Sequence, residues 1–222
     1  MNKLNILYED NHIIVVVKHF NILSQSDITN DLDMLTIVKE YIKEKYNKPG
    51  NVYLGLVHRL DRPTMGVMVF AKTSKAASRL SEQVRKNTFQ KKYVAIVNGI
   101  LSKKEYTFVD YLEKLDNGNT VVTDENHGKY SELSYKVLKE DKVNNLSLVD
   151  ISLKTGRHHQ IRVQFASRGY PLLGDSRYSE NKEKYQLCLV AYSLNFNHPT
   201  TKERLEFSIP FNDLEHFKKF YL

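Results

Sequence analysis

The chain has 222 residues, a net charge of +7 and a sequence pI of about 9.2. The length fits a single domain over residues 1–222, and the basic balance favours an anionic partner, nucleic acid first. The one cysteine, Cys188, excludes an internal disulfide. There is no secretory start and no apolar run near the roughly 20 residues that span a bilayer, so we expect a soluble, cytoplasmic protein without a membrane partner. A monomer is the default expectation.

The first predicted elements are a buried strand and a helix. Residues 13–17 form an apolar, β-branched run that is typical of a buried strand. After a polar loop at residues 24–33, Asp31 or Asp33 can cap a helix that ends at the turn over residues 47–50. One face of this helix is apolar: Met34, Leu35, Val38, Tyr41 and Ile42.

The stretch His58-Arg59-Leu60-Asp61-Arg62 puts one carboxylate between two arginines in a short polar turn. Apolar runs at residues 52–57 and 67–70 flank it and predict buried strands. Asp61 should therefore lie on a turn at the end of a rigid scaffold, where nearby guanidinium charge favours the ionised form that a nucleophile needs. Taken alone, the motif favours a surface turn with a local ion pair, since charged turns are common.

A second predicted helix follows this turn and has a basic face. Ser74 can cap it, and its apolar side consists of Ala76, Ala77, Leu80 and Val84. The basic side chains around it are candidates for contact with a phosphate backbone, although an ordinary solvated face is the simpler interpretation. These side chains are Lys72, Lys75, Arg79, Arg85 and Lys86.

Strands dominate the rest of the chain. We predict strands at residues 93–97, 106–111, 120–123, 133–138 and 146–153, and later at about 187–196 and 204–209. Helices are predicted over residues 158–167 and 212–221. Many strands with few helices indicate an α+β fold with a mixed, largely antiparallel sheet and flanking helices.

A second motif lies on the helix predicted at residues 158–167. It runs Thr155-Gly156-Arg157-His158-His159-Gln160-Ile161-Arg162-Val163-Gln164-Phe165-Ala166. With His58-Arg59-Leu60-Asp61, it resembles the pseudouridine synthases of large-subunit rRNA and tRNA, the family of the bacterial ribosomal large-subunit pseudouridine synthases A, C and D. Four further stretches resemble the family in the same order, over nearly the whole chain: residues 5–18, 91–97, 169–178 and 194–199.

The resemblance implies a sheet crossed by a central active-site cleft, and an RNA substrate, either 23S rRNA or tRNA. It implies isomerisation of a specific uridine: the N-glycosidic bond breaks, the base turns, and it rejoins the sugar through carbon. No cofactor is needed, and the sequence has no nucleotide-binding fingerprint. The chain opens almost at once on the family's catalytic strands, so an N-terminal RNA-binding domain of the S4 type is expected to be absent.

The family's site residues carry over to particular positions here. Asp61 matches the catalytic carboxylate, and Arg162 matches an arginine that pairs with it. Because a paired base is out of reach, the family takes it out of its stack. Arg59 matches the side chain that enters the vacated space, and Tyr93 matches a tyrosine that stacks on the flipped base. The remaining candidates for substrate binding are His58, Arg62, Ile161 and Val163, of which the last two are core residues by default.

Some features depart from the family pattern or stay ambiguous. Met65 stands where the family has a small hydroxyl residue, and residues 18–21 read Lys-His-Phe-Asn in place of Lys-Pro-x-Gly. We expect no metal at His58, His158 and His159, since no carboxylate or cysteine stands at ligand spacing beside them. The alternative function is a catalytically silent RNA-binding protein of the same fold.

Overall fold

The computed structural model describes residues 4–29, 31–180 and 186–221. Its contacts divide the chain into two units. Unit 1 contains Met1–Phe89 and Ser193–Ile209, and unit 2 contains Gln90–Tyr192 and Pro210–Leu222. Since each unit is built from two separate stretches of chain, neither is a simple sequence segment, and the single domain over residues 1–222 stays a prediction.

The first part of the chain has two strands before each of its two helices, and the later part is mostly strands. Up to residue 89 they are β1 (Asn5–Glu9), β2 (Ile13–Lys18), α1 (Met34–Lys45), β3 (Gly55–Leu56), β4 (Met65–Ala71) and α2 (Ser74–Arg85). From residue 90 they are β5 (Gln90–Asn98), β6 (Glu105–Lys114), β7 (Thr120–Thr123), β8 (Lys129–Asp141), β9 (Leu146–Leu153), α3 (Gln160–Ala166), β10 (Leu189–Asn197), β11 (Arg204–Ser208) and α4 (Glu215–Lys218).

Unit 1 has its core around β2, as the β-branched run predicts. Residues 13–17 are at most 1% exposed, and β2 pairs antiparallel with β1 on one side and β4 on the other. Helix α1 buries Met34, Val38 and Ile42, which lie on the predicted apolar face. Asp33 caps this helix by accepting a hydrogen bond from the Thr36 backbone N–H. The hairpin of β11 with the end of β10 completes the strands of unit 1.

Unit 2 is a row of antiparallel strands in the order β5-β9-β8-β6-β7. Helix α3 packs on one face of this row. Its Phe165 ring lies 5.1 Å from the ring of Phe108 on β6 and 5.4 Å from that of Tyr135 on β8, measured between centroids. The aromatic cluster therefore fixes α3 to the face that carries these two side chains.

The α+β class with a mixed, mostly antiparallel open sheet and few helices is confirmed, while several boundaries differ. The strand expected at residues 52–57 pairs with β4 only at Gly55 and Leu56. Thr73, not Ser74, caps α2, because the Thr73 side chain accepts from the Ala76 backbone N–H. The C-terminal helix is shorter than predicted, since Leu214 keeps an extended backbone and α4 begins only at Glu215.

None of the helices in the described part of the chain has the length and apolar character that a membrane-spanning helix requires.

Candidate functional site

The Asp61 turn of unit 1 is held by a buried serine. Ser24 Oγ donates to the Leu60 carbonyl (2.7 Å) and accepts from the Leu60 backbone N–H (3.0 Å). The Asp61 carbonyl accepts from the Thr64 N–H at 2.9 Å, which closes the turn. Leu60 and Thr64 are buried and Asp61 is half-buried. The backbone on both sides of the carboxylate is thus fixed by hydrogen bonds.

Lys18, at the end of β2, is a second anchor of this turn and is fully buried. Its ammonium donates to three backbone carbonyls, those of Ile22 (2.6 Å), Arg62 (3.0 Å) and His19 (3.2 Å). Burial lowers the pKa of Lys18 to about 7, with the Asp61 carboxylate opposing the shift and the Arg62 charge adding to it. The Lys18 ammonium therefore links the backbone of the Asp61 turn to the core strand β2.

Lys18 should make the stability of the protein depend on pH. Between about pH 7 and the unfolded value of 10.5, the unfolded chain binds more protons than the folded one, so stability from this group rises with pH. Relative to Lys18→Met, we expect wild-type protein to gain on the order of 2 kcal/mol between pH 7 and pH 9. Urea unfolding of both proteins at the two pH values measures this; an unchanged difference would contradict the lowered pKa.

The other residues of the predicted turn have distinct surroundings. Arg59 and Arg62 are exposed, and Arg62 Nη1 lies 2.7 Å from Asp31 Oδ2 in an ion pair that is nearly half-exposed on both sides. His58 is buried: its Nε2 accepts from the Val69 backbone N–H (3.2 Å), and its ring lies 5.2 Å from that of Phe89. His58 therefore anchors the turn to β4 and the core.

Among the candidates for phosphate contact, Lys72 requires correction. Its side chain is only 10% exposed, and its ammonium bonds to Glu9 Oε1 (2.7 Å) and the Asp10 carbonyl (2.6 Å). Although burial opposes ionisation of Glu9, hydrogen bonds led by those from Lys45 and Lys72 lower its pKa to about 2. A lysine held in this way is not placed for RNA, and we remove it from the proposed surface.

The remaining candidates lie on α2 or, in the case of Lys86, at its C-cap. Arg79 Nη1 donates to the Pro199 carbonyl at 2.8 Å. Arg85 and Lys86 both pair with Glu82 on an exposed face, and Lys75 is exposed. Exposed ion pairs of this kind contribute little to protein stability. Lys75, Arg85 and Lys86 therefore stay candidates for contact with a phosphate backbone.

In unit 2, Tyr93 lies on the face of the sheet that α3 covers. Tyr93 on β5 is opposite Ile151 on β9, which is in turn opposite Tyr135 on β8. Side chains directly opposite one another point to the same face, and Tyr135 contacts Phe165 of α3. Tyr93 is 6% exposed. Register alone thus brings the predicted tyrosine to the same face as the second motif.

The start of α3 is built by Gln160. Its Oε1 accepts from Thr155 Oγ1 (2.8 Å) and from the Arg157 N–H (3.0 Å), while its Nε2 donates to the Glu132 carbonyl (3.1 Å). The helix begins at Gln160, with His159 in the left-handed region (φ 51°). The helix predicted over residues 158–167 therefore starts two residues too early, because both histidines precede it.

Arg162 of α3 is buried and forms a bidentate ion pair within unit 2. Its Nε lies 2.8 Å from Asp175 Oδ2 and its Nη2 lies 2.7 Å from Asp175 Oδ1. Asp175 also accepts from the backbone N–H groups of Arg177 and Tyr178. The guanidinium plane is thereby fixed. Sequence reasoning missed Asp175 as a site residue, although it lies in a recognised motif. Ile161 and Val163, on the same helix, are buried as the default core interpretation predicts.

The side chains of His158 and His159 form a polar cluster. The rings of His158 and His159 stack with centroids 3.7 Å apart, His159 Nδ1 is hydrogen bonded to the Tyr178 hydroxyl (2.8 Å), and His158 Nδ1 to Thr120 Oγ1 (3.0 Å). Burial, followed by the Arg162 and His158 charges, lowers the pKa of His159 to about 2. Among the described residues, no three His, Cys, Asp or Glu side chains are grouped so that they could hold a metal ion.

Comparison with known proteins places this chain in one family. Residues 12–167 match the family model described as RNA pseudouridylate synthase. The chain is 35% identical to ribosomal large subunit pseudouridine synthase C of Buchnera aphidicola (subsp. Schizaphis graminum), over 93% of this chain and 67% of the relative. It is 33% identical to an uncharacterized RNA pseudouridine synthase, YhcT, of Bacillus subtilis, over 94% and 69% of the two chains.

Solved structures show the same fold. Human RNA Pseudouridylate Synthase Domain Containing 4 superposes with a TM-score of 0.80 at 22% identity, covering 96% of this chain and 90% of the human one. Human RNA Pseudouridylate Synthase Domain Containing 1 superposes with a TM-score of 0.75, also at 22% identity, covering 97% and 86%. Together with the family model and the curated relatives, this identifies the chain as an enzyme of the RNA pseudouridine synthase family.

Proposed function

We propose that the protein isomerises a specific uridine of large-subunit rRNA to pseudouridine, with Asp61 as the catalytic carboxylate. The observation that carries the proposal is the anchored turn: Ser24 and Lys18 fix the backbone on either side of a half-buried Asp61. A reaction at a sugar carbon needs a carboxylate held at a defined position, which such a turn provides. The proposed reaction is an isomerisation that uses amino-acid side chains alone and no cofactor.

The base must leave its stack before the carboxylate can act on its sugar. We assign Arg59 to the space that the base vacates, since its side chain is exposed and lies two residues before Asp61. Tyr93 supplies the surface on which the flipped base stacks, an interaction of roughly 1–3 kcal/mol. Arg162, oriented by Asp175, serves as the cationic partner of Asp61 during catalysis.

The choice of rRNA rests on relatives rather than on geometry. Several curated relatives, among them that of Escherichia coli K12 at 34% identity, are named ribosomal large subunit pseudouridine synthase C. The net charge of +7 and the exposed lysines and arginine of α2 suit an RNA phosphate backbone. Transfer RNA is the other candidate, and the same experiment distinguishes the two.

Mapping pseudouridine in total RNA from cells with and without this gene tests the proposal. We expect one or more uridines of 23S rRNA to stay unmodified when the gene is absent, and the purified protein to restore them on RNA from the deleted strain. If pseudouridine is lost from tRNA instead, the substrate is tRNA and the proposed reaction is unchanged. No lost position, together with RNA binding but no conversion by the purified protein, would favour a silent RNA-binding protein.

A further inference from the structure

Lys91 lies at the start of β5, two residues before Tyr93. Among the described residues, no hydrogen bond, ion pair or ring contact involves its ammonium group. Part of the Lys91 surface stays accessible, yet surrounding atoms desolvate the ammonium, and burial lowers its pKa. A desolvated cation without an anion is costly to the folded protein. An anionic group of a bound ligand would offset this cost by pairing with the ammonium.

The register of β5 places Lys91 beside Tyr93. Side chains two residues apart in a strand point to the same face, so Lys91 and Tyr93 share the face that α3 covers. Lys91 is opposite Leu153, and Tyr93 is opposite Ile151. Lys92 lies between them, exposed and directed to the other face. Lys91 is therefore directed to the same face as the proposed base-stacking tyrosine, and Lys92 is not.

Gly156 makes room for this ammonium. A Cβ atom added to Gly156 would lie 2.9 Å from Lys91 Nζ, closer than real Cβ contacts. Gly156 belongs to the second motif, in the loop that Gln160 ties down before α3. The absence of a side chain at residue 156 thus allows the lysine to lie against the backbone of this loop.

We propose that Lys91 binds the phosphodiester group next to the target uridine when the base of that uridine stacks on Tyr93. This inference rests on the proposed function and adds a specific contact to it. RNA carries one anionic group per nucleotide, whereas the uracil carbonyls are neutral. A compact ammonium that has already lost much of its water gains most from a full negative charge. Lys91 is accordingly a substrate-binding residue that fixes the nucleotide while the base is out of its stack.

Lys91→Met and Lys92→Met form a matched pair of variants to test this. The probe is unmodified large-subunit rRNA transcribed in vitro, and its binding is measured from low to high salt. We expect Lys91→Met to weaken binding roughly tenfold and to reduce the slope of log K against log salt by about 0.7–0.9, as one lost phosphate contact does. Lys92→Met should bind much as wild type does.

Protein stability distinguishes binding from a structural role. Methionine has a similar shape and needs no solvation, so Lys91→Met should unfold in urea at the same or a higher concentration than wild type. Weaker RNA binding together with unchanged or higher stability supports the proposal. A clear loss of stability without a change in the salt slope would overturn it and make Lys91 structural.

Gly156→Ala provides an independent test. Its new methyl group should displace the Lys91 ammonium and weaken RNA binding in the wild-type background. In a Lys91→Ala background the same change should have little further effect, since the displaced group is absent. Additive losses would contradict the proposal. These experiments measure RNA binding and protein stability rather than pseudouridine formation. They can fail while wild-type protein still forms pseudouridine, so failure of this proposal and failure of the proposed function are distinguishable.

Discussion

Asp61→Asn is expected to lower pseudouridine formation by about a thousandfold or more, while RNA binding stays within a few-fold of wild type. Asparagine has nearly the same shape but lacks the charge and nucleophilicity of a carboxylate. The anchors of the turn are hydrogen bonds from Ser24 and Lys18 to backbone carbonyls, and asparagine at residue 61 leaves those carbonyls in place. The loss should therefore appear in the chemical step rather than in folding.

Single-turnover conversion of unmodified RNA, measured with binding to the same RNA, separates the two effects. Asp31→Asn is the matched control, since it removes an exposed carboxylate that pairs with Arg62 of the same turn. This control should keep most of its activity because exposed ion pairs contribute little. Substantial turnover by Asp61→Asn would exclude Asp61 as the catalytic carboxylate.

The turn around Asp61 could be predicted from sequence because its signals are local. Apolar runs flank a polar stretch with turn residues. The turn lies between two strands as predicted, although β3 forms only at Gly55–Leu56. The strands β7 and β9 were predicted at their exact bounds, since turn residues and alternation mark both ends. These features depend on neighbours within a few residues.

The supports of the site could not be predicted, because they depend on contacts distant in sequence. Lys18 meets the carbonyl of Arg62, 44 residues away, and its burial at the end of β2 has no local signal. Asp175 follows Arg162 by 13 residues, beyond the turn at Gly169. The left-handed backbone of His159 was also hidden, since a histidine before a helix is compatible with a helical start. The local turn was therefore easier to predict from the sequence than the distant side chains that support it.

The largest loss of stability is expected from Asp175→Asn. The side chains of Asp175 and Arg162 are 0% and 6% exposed, so removal of the carboxylate charge leaves a buried guanidinium uncompensated. Breaking one half of such a pair costs about 3–5 kcal/mol. Asp110→Asn is the control in the same unit, because Asp110 pairs with Arg168 in a more exposed bridge, with side chains 11% and 29% exposed. Urea unfolding should show a clearly smaller loss for the control.

A double variant separates the stabilising role of this pair from its role in the reaction. Arg162→Met with Asp175→Leu replaces the two charges by apolar side chains, which should recover much of the stability lost by Asp175→Asn. If Arg162 is the cationic partner of Asp61, the recovered protein should still form pseudouridine far more slowly than wild type, because the fixed guanidinium is gone. A double variant that is both stable and active would show that the pair only supports the fold of unit 2, and the proposed catalytic role of Arg162 would then be wrong.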